Sequence, residues 1–225
     1  MLWQEDENRE IEVPERVVDV NFRINTKCIP LEHAWLLSTA LRERLPWLEE
    51  EEHVAIHTIH GPESGNGWFR PGDAETELLY VSRRTRMTLR LPVARVEEAI
   101  GALEGKPLRL GSFELLPDRP SVHPLSKSST LFSRHVVTRP EEPEEEMVQR
   151  LADELQEMGI RVKKLLCGRE SRLHHPQGEV LTRSVMVADL RVDEAVRLQE
   201  RGLGPQRLMG CGIFIPHKDI ATLND

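Results

Sequence analysis

The chain has 225 residues, of which 39% are hydrophobic and 30% are charged, and its formal net charge at pH 7 is −8. This length suits one large soluble domain or two small ones, and because no long apolar run is present we expect neither a membrane span nor a secretory signal. The three cysteines have no paired spacing, which excludes a disulfide framework and a CxxC metal site and favours a reducing cytoplasm.

The first half of the chain predicts alternating strands and helices behind an acidic tail of residues 1–16. Residues 17–24 alternate apolar and polar side chains with period two, which is typical of a half-buried strand. Residues 31–41 have the pattern of an amphipathic helix, which begins after Pro30 and is closed by Pro46. Further predicted strands cover residues 53–59, 78–82, 86–91 and a stretch up to 116, and a second predicted helix covers residues 93–103.

The second half of the chain repeats this order of elements. Its predicted elements are strands at 132–138, 161–167, 181–190 and 213–215, and helices at 144–158 and 192–201, which end at Gly159 and Gly202. Residues 117–131 are rich in Pro and Ser and form the predicted linker between an N-terminal domain, 17–116, and a C-terminal domain, 132–225. The pattern therefore predicts an α+β fold with a repeated strand-helix-strand-strand-helix-strand order.

The charges of the chain are distributed unevenly. Acidic residues are concentrated in 5–15, 49–52 and 141–146, whereas residues 161–218 contain eleven Lys and Arg against six Asp and Glu. A chain polarised in this way can bind a nucleic acid on one face although its net charge is negative. The acidic runs are most simply explained as solvated surface.

A glycine motif lies close to the C-terminus. Gly202 and Gly204 form one Gly-x-Gly pair, Gly210 and Gly212 form the next, and Arg207 lies between the pairs. Glycine permits positive φ and can expose backbone N–H groups to an anion, but the spacing excludes both a Walker loop and a dinucleotide fingerprint. Two interpretations remain, a platform for a phosphodiester chain and an architectural turn before the final strand.

The pattern Gly-h-Gly, five residues, Gly-h-Gly, with h apolar, resembles the C-terminal motif of the CRISPR repeat-processing endoribonucleases, the sixth Cas protein family of the RAMP superfamily. Residues 57–68 and 161–169 resemble one branch of that family, which is associated with a variant type I system. The resemblance extends from about residue 17 to residue 218. It implies tandem ferredoxin-like, RRM-like domains and a metal-independent endoribonuclease that cuts precursor RNA once per repeat to give guide RNAs.

In the family, the implied reaction is attack by the RNA's own 2′-hydroxyl, which leaves a 2′,3′-cyclic phosphate. Histidine suits both proton transfers of this reaction near neutral pH. His33 is the first candidate, because it lies at the start of the first predicted helix, in or near which the family's catalytic histidine commonly lies. The alternative for His33 is a surface histidine without a function.

His57 and His60 are the competing candidates, because they precede the glycine-rich stretch 61–67. On a strand, positions i and i+3 point to opposite faces, so these two side chains are not expected to form a metal pair unless the strand ends between them. A structural role, in which they hydrogen-bond the glycine-rich stretch, is about equally plausible. No group of histidines, cysteines and carboxylates has zinc-ligand spacing, so we expect neither a metal nor another cofactor.

RNA binding is expected to use basic side chains and the glycine motif. For any single arginine the simpler explanation is a solvated surface charge. The resemblance implies that a nearby lysine or arginine, with Lys163 and Lys164 as candidates, stabilises the scissile phosphate. The full set of expected RNA-binding residues is Arg83, Arg84, Arg86, Arg161, Lys163, Lys164, Arg169, Gly202, Gly204, Arg207, Gly210, Gly212 and Lys218.

The expected partner is the hairpin of CRISPR repeat RNA, and the resemblance adds the other Cas subunits of a type I effector complex. Two alternatives stay open. The first is a non-catalytic subunit that holds guide RNA in such a complex. The second is a small-molecule enzyme that binds phosphate with the glycine loop, which the basic segments make the weaker alternative.

Overall fold

The computed structural model describes residues 16–60 and 78–217 of the chain. Its first half contains a four-stranded antiparallel sheet, two helices and two short ribbons. In chain order the elements are β1 (Val17–Ile24), β2 (Cys28–Pro30), α1 (Ala34–Arg44), β3 (Ala55–Ile56), β4 (Leu78–Tyr80), β5 (Arg86–Pro92), α2 (Val96–Leu103), β6 (Leu108–Leu110), β7 (Phe113–Leu115) and β8 (Pro117–Pro124). The sheet has the order β3-β5-β1-β8, while β2 pairs with β4 and β6 with β7.

The second half contains a second four-stranded sheet with two helices. Its elements are β9 (Leu131–Val137), α3 (Glu144–Glu157), β10 (Lys164–His175), β11 (Gly178–Ala188), α4 (Val192–Arg201) and β12 (Ile215–Pro216). The sheet order is β10-β11-β9-β12. In both sheets the first strand of the unit lies between the third and the fourth, which confirms the prediction of two tandem ferredoxin-like folds.

Several predicted elements differ from the observed ones. Strand β10 extends to His175, whereas the predicted strand ends at Cys167, because β10 forms a long hairpin with β11. The polar residues of this hairpin give no apolar pattern from which the extension could be predicted. The predicted strand 53–59 is reduced to Ala55–Ile56. Residues 117–124, assigned to the linker, form β8, an edge strand that tolerates three prolines, so only 125–130 connect the two sheets without regular structure. Among the described helices, none is long and apolar enough to cross a membrane.

The two faces of the first sheet have different chemistry. Val18 and Val20 of β1, together with Leu89 of β5, are buried in the core beneath the helices. The opposite face carries polar cross-strand pairs, of which Asp19 with Arg90 is buried most deeply. Alternation along the strands predicts this division, but the second half of the chain covers part of the polar face.

Apolar and aromatic contacts join the two halves. Ala34 of α1 packs in one cluster with Leu173 of β10 and with Met209 and Cys211 of the glycine loop, by which we mean residues 202–212. The ring of His175 contacts Trp35 of α1 edge-on at a centroid distance of 4.3 Å. The β10–β11 hairpin and the glycine loop therefore both pack against the start of α1.

The glycine loop closes on itself at its two ends. Gly202 and Gly212 have φ values of 68° and 65°, and a Cβ atom at either position would collide with a backbone carbonyl of the opposite end. The N–H of Leu203 donates to the carbonyl of Gly212 at 3.2 Å. Side chains are therefore excluded from both positions by the backbone contact as well as by the conformation.

We expect Gly212→Ala to destabilise the protein more than Gly204→Ala. Gly204 also has positive φ, at 71°, but a Cβ atom added there would meet no atom within 4 Å, so both variants share the cost of the left-handed conformation, about 1 to 2 kcal/mol. Only Gly212→Ala adds a collision with the carbonyl of Leu203. Urea unfolding measures both losses, and equal losses would contradict the role of the contact.

One buried carboxylate fixes the start of α3 against β9. The Glu142 side chain is 3% exposed and accepts hydrogen bonds from Arg150 Nε at 2.8 Å and Nη2 at 2.9 Å. It also accepts bonds from the Thr138 hydroxyl and the Arg139 N–H. Chiefly through the bonds from Arg150, these contacts lower the pKa of Glu142 to about 2.

Because the pKa of Glu142 is depressed in the folded protein, its stabilising effect is complete above the ordinary value of 4.5 and is lost as the pH falls toward 2. We therefore expect wild type to be more stable than Glu142→Gln at pH 7 and the difference to shrink between pH 5 and pH 3. Urea unfolding across this range tests the prediction. A difference that stays constant with pH would count against it.

Candidate active site

A narrow cleft lies where the two sheets meet the glycine loop. The segment after β3 provides one wall, and β9 with the C-terminal end of the glycine loop provides the other. The lining residues are His57, Thr58, His60, Arg134, Gly210, Ile213 and Ile215. Two of the three predicted catalytic histidines thus lie beside the predicted glycine motif.

The segment 57–60 leaves the sheet directly after β3. The N–H of His57 donates to the carbonyl of Thr88 at 3.0 Å, which extends the ladder by one residue, and Ile59 turns into the core with 2% exposure. Gly210 lies against this segment, because a Cβ at that position would be 2.5 Å from Thr58 Cγ2 and 3.3 Å from Thr58 N. Because β3 ends at Ile56, before both histidines, the opposite-face geometry of a strand does not apply to them, and both line the cleft.

His33 lies at the N-cap of α1, as predicted, but its ring is only 5% exposed. Its Nε2 accepts the N–H of Ile59 at 2.9 Å, so Nδ1 carries the proton and donates to the carbonyl of Leu31 at 2.9 Å. Burial lowers its pKa, although the bonds to backbone carbonyls oppose the shift. His33 is therefore neutral and ties the start of α1 to the segment that carries His57 and His60.

The His57 side chain is 16% exposed, and its Nε2 lies 3.6 Å from Oδ1 of Asp19. Asp19 in turn accepts two hydrogen bonds from Arg90, whose side chain is completely buried. Burial lowers the pKa of His57, and the charges of Arg90 and Arg207 add to this, while Asp19 opposes it. Burial alone would raise the pKa of Asp19, but His57 and Arg90 hold it well below its usual range.

His60 is the more exposed of the two cleft histidines, and its Nε2 shares a hydrogen bond of 2.8 Å with the hydroxyl of Thr58. Desolvation by the groups packed around it, followed by the charges of Arg134 and His135, lowers its pKa to about 3. His60 is therefore neutral at pH 7. An anion bound in the cleft would raise the pKa of both histidines toward neutrality.

His135, which has no distinctive spacing in the sequence, lies in β9 beside Arg134. Its Nδ1 is 3.1 Å from the hydroxyl of Ser171 and 3.2 Å from that of Thr182, and burial lowers its pKa to about 4. No sequence signal marked Asp19, Arg90 or Arg134 as site residues either. In a strand with alternating apolar and polar residues, a charged residue normally faces solvent. Asp19, Arg90 and Arg134 come together only because the second half of the chain packs on the polar face of the first sheet.

Arg207 was expected to contact phosphate, but it packs inside the glycine loop. Its Nη1 donates to the carbonyl of Glu200 at 2.6 Å, and among the described residues neither Nε nor Nη2 has a hydrogen-bond partner. Burial, followed by the charge of Arg90, lowers its pKa to about 10. Arg207 therefore stabilises the loop and contributes positive charge behind the cleft.

The other predicted basic residues are not gathered at the cleft. The backbone N–H of Arg161 bonds to Glu194 in the first turn of α4, whereas the glycine loop follows the last turn of this helix, whose ten residues span about 15 Å. Lys163 is two residues from Arg161, and Lys164 pairs with Asp189 at 3.0 Å, so neither lysine lines the cleft.

The remaining predicted site residues lie in several different parts of the chain. Arg83 and Arg84 form an exposed turn rather than a strand, and Arg86 donates to the carbonyls of Arg83 and Thr85 at 2.9 Å. Arg169 is exposed on β10.

Lys218 and the glycine-rich stretch 61–67 lie outside the described residues. Within the described ranges, no group of three or more His, Cys, Asp or Glu is placed to hold a metal ion.

We expect His33→Ala to lower the free energy of unfolding by about 1 to 3 kcal/mol, because it leaves the N–H of Ile59 buried without an acceptor. His33→Gln is the matched variant, since its amide oxygen can accept the same N–H, and we expect a smaller loss. Urea unfolding of both variants measures the difference. Equal losses would show that the hydrogen bond does not hold the segment.

Comparisons with known proteins place the chain among relatives of known class. A family model described as Cas6 Crispr matches residues 18–219. The CRISPR-associated endonuclease Cas6 of Myxococcus xanthus (strain DK1622) is 30% identical over 199 residues, which cover 88% of this chain and 81% of the relative.

Two solved structures have a similar fold. The product of a Cas6-related gene from Pyrococcus furiosus is 14% identical, with a TM-score of 0.63, and the match covers 90% of this chain and 99% of that one. A RAMP protein described as binding different RNA substrates is 13% identical, with a TM-score of 0.58 and coverage of 89% and 98%. At these identities the likeness concerns the fold.

Proposed function

Because the chain belongs to the Cas6 family, we propose that it is an endoribonuclease that cuts CRISPR precursor RNA within the repeat and so releases guide RNAs. The observation that carries this proposal is the cleft between the two ferredoxin-like sheets, where two neutral histidines and an arginine meet the glycine loop. The endonuclease name of the Myxococcus relative supports the activity.

The proposed reaction needs one base and one acid and no metal. The 2′-hydroxyl loses its proton, the 2′-oxygen attacks the adjacent phosphorus, and the bond from phosphorus to the 5′-oxygen breaks as that oxygen takes a proton. The products are a 2′,3′-cyclic phosphate and a 5′-hydroxyl. The protein must hold the attacking oxygen, phosphorus and leaving oxygen in line and place a proton acceptor and a proton donor at the two ends.

The electrostatics of the cleft distinguish the two histidines. Desolvation, with the charges of Arg134 and His135, keeps His60 unprotonated in the free protein, which is the state that a base needs before it takes the 2′-hydroxyl proton. Asp19 favours the charged form of His57, so His57 suits the acid that protonates the leaving oxygen once bound phosphate has raised its pKa. The guanidinium of Arg134 lies in the same cleft and would stabilise the charge that develops on the phosphate.

His33 has a supporting role in this assignment. Its ring accepts the N–H of Ile59, which lies between the two cleft histidines in the sequence. The family resemblance places the reacting histidine in or near the first helix, which makes His33 the competing assignment. A variant that keeps the hydrogen bond and removes the titratable ring separates these two roles.

We expect wild type to cut a labelled repeat hairpin at one position in excess EDTA, in single-turnover conditions with protein above its RNA dissociation constant. His57→Ala and His60→Ala should each slow cutting by about 10²-fold or more while RNA affinity is kept. His33→Gln should keep most of the rate that His33→Ala loses. If His33→Gln is as inactive as His33→Ala while His60→Ala stays active, His33 rather than His60 carries out a proton transfer.

Two controls define the chemistry. His123→Ala changes an exposed histidine of β8, outside the cleft lining, and should leave the rate unchanged. An RNA with a 2′-deoxyribose at the cut position should bind but resist cutting, because it lacks the nucleophile. Loss of wild-type cutting in EDTA would contradict a metal-independent reaction, and tight binding without any cutting would favour a subunit that only holds guide RNA.

A further inference from the structure

A buried ion pair lies directly behind the cleft. Arg90 Nε donates to Asp19 Oδ1 at 2.8 Å, and Nη2 donates to Oδ2 at 2.9 Å, so the carboxylate is held at both oxygens. The Arg90 side chain is 0% exposed and that of Asp19 is 20% exposed. Such a two-point contact allows the carboxylate plane little freedom to rotate.

Arg90 connects this carboxylate to the other half of the chain. Its Nη1 donates to the carbonyl of Gln199, near the end of α4, and to that of Phe214, which follows the glycine loop, each at 3.0 Å. The position of Asp19 is therefore set by backbone groups on both sides of the glycine loop. A side chain anchored in this way can orient a neighbour precisely.

The neighbour is His57. Oδ1 of Asp19, the oxygen that also accepts Arg90 Nε, lies 3.6 Å from His57 Nε2. This nitrogen is buried, and among the described residues it has no hydrogen-bond partner. A movement of about 0.6 Å would complete a hydrogen bond, and such contacts are often long before substrate binds and shorten in the complex.

The charges around His57 explain why a carboxylate is needed there. Arg90 lies behind Asp19, Arg207 lies in the glycine loop, and His60 and Arg134 line the same cleft. Arg90 and Arg207 disfavour a positive charge on the His57 ring. Asp19 supplies the opposing negative charge beside Nε2, at 3.6 Å.

We propose that Asp19, held by Arg90, is a positioning residue for His57: it accepts a hydrogen bond from Nε2–H, fixes the tautomer and stabilises the imidazolium that donates to the leaving oxygen from Nδ1. The inference rests on the proposed function of the cleft. Neither residue touches the RNA in this scheme. Because Arg90 also bonds to carbonyls of the second half, the orientation of the His57 ring depends on how the two halves pack together.

The test is a double-mutant cycle on the single-turnover cutting rate, with Asp19→Asn, His57→Gln and the double variant. Asp19→Asn should slow wild type by about 10²-fold, because an amide cannot supply the negative charge. In the His57→Gln background the same change should alter the rate by less than about threefold, since the residue through which Asp19 acts is already absent. Equal losses in both backgrounds would overturn the proposal.

The neighbouring cross-strand pair provides a matched control. Thr88 Oγ1 donates to Asn21 Oδ1 at 2.7 Å on the same two strands, so Thr88→Val breaks a polar contact of this face without touching Asp19. It should leave the cutting rate unchanged. If Asp19→Asn does not fold, Asp19→Glu keeps a carboxylate for Arg90 but displaces it from His57, and the same cycle applies with the same expected outcome.

A second measurement does not depend on cutting. Nitrogen NMR of the RNA-free protein reports which ring nitrogen of His57 carries the proton at neutral pH, and we expect the Nε2–H tautomer in wild type. In Asp19→Asn the amide can donate to Nε2, which should shift part of the population to the Nδ1–H tautomer. An unchanged tautomer would overturn the positioning role, whereas absence of cutting by wild type would overturn the proposed function alone.

Discussion

The buried pair of Arg90 and Asp19 is the contact on which the cleft depends. A guanidinium without solvent exposure is costly unless its donors are satisfied, and Arg90 satisfies them with one carboxylate and two backbone carbonyls. The carboxylate belongs to the first sheet, and the carbonyls belong to the second half of the chain. Arg90 is therefore stable in this position only when the two halves are docked, and the same docking forms both walls of the cleft.

The glycine loop has its pattern largely for reasons of packing. Gly202 and Gly212 close the two ends of the loop against each other, and Gly210 allows the segment before His60 to approach. Contacts within the protein therefore account for three of the four glycines, which supports the interpretation as an architectural turn. A Cβ atom added at Gly204 would meet no atom within 4 Å, so Gly204 is the member of the motif with room for a ligand.

The electrostatics of the cleft suit an anionic substrate even though the chain is acidic overall. Burial and nearby arginines keep His57 and His60 neutral in the free protein, so neither ring adds a fixed charge before the substrate binds. Arg134 and the partly buried Arg207 provide the positive potential. A bound phosphate would change the proton affinity of both rings, which couples substrate binding to the proton transfers.

Local patterns in the sequence determined much of the fold. The apolar period of residues 192–201 predicted α4 with its observed bounds, the alternation at 17–24 predicted β1, and the glycine motif identified the family. The candidates His57 and His60 also came from the sequence. Such features are visible locally because helix and strand periods and glycine spacing depend on residues that are close along the chain.

The tertiary structure decided which of these residues meet. Because β3 ends at Ile56, His57 and His60 both line one cleft. Lys163 and Lys164 lie near the start of α4, whereas the glycine loop beside the cleft follows the end of this helix. Arg90 reaches the carbonyl of Phe214, 124 positions later, and no local pattern distinguishes such a contact from a solvated charge. Burial of charge depends on what covers a strand face, and that is determined only when distant parts of the chain pack together.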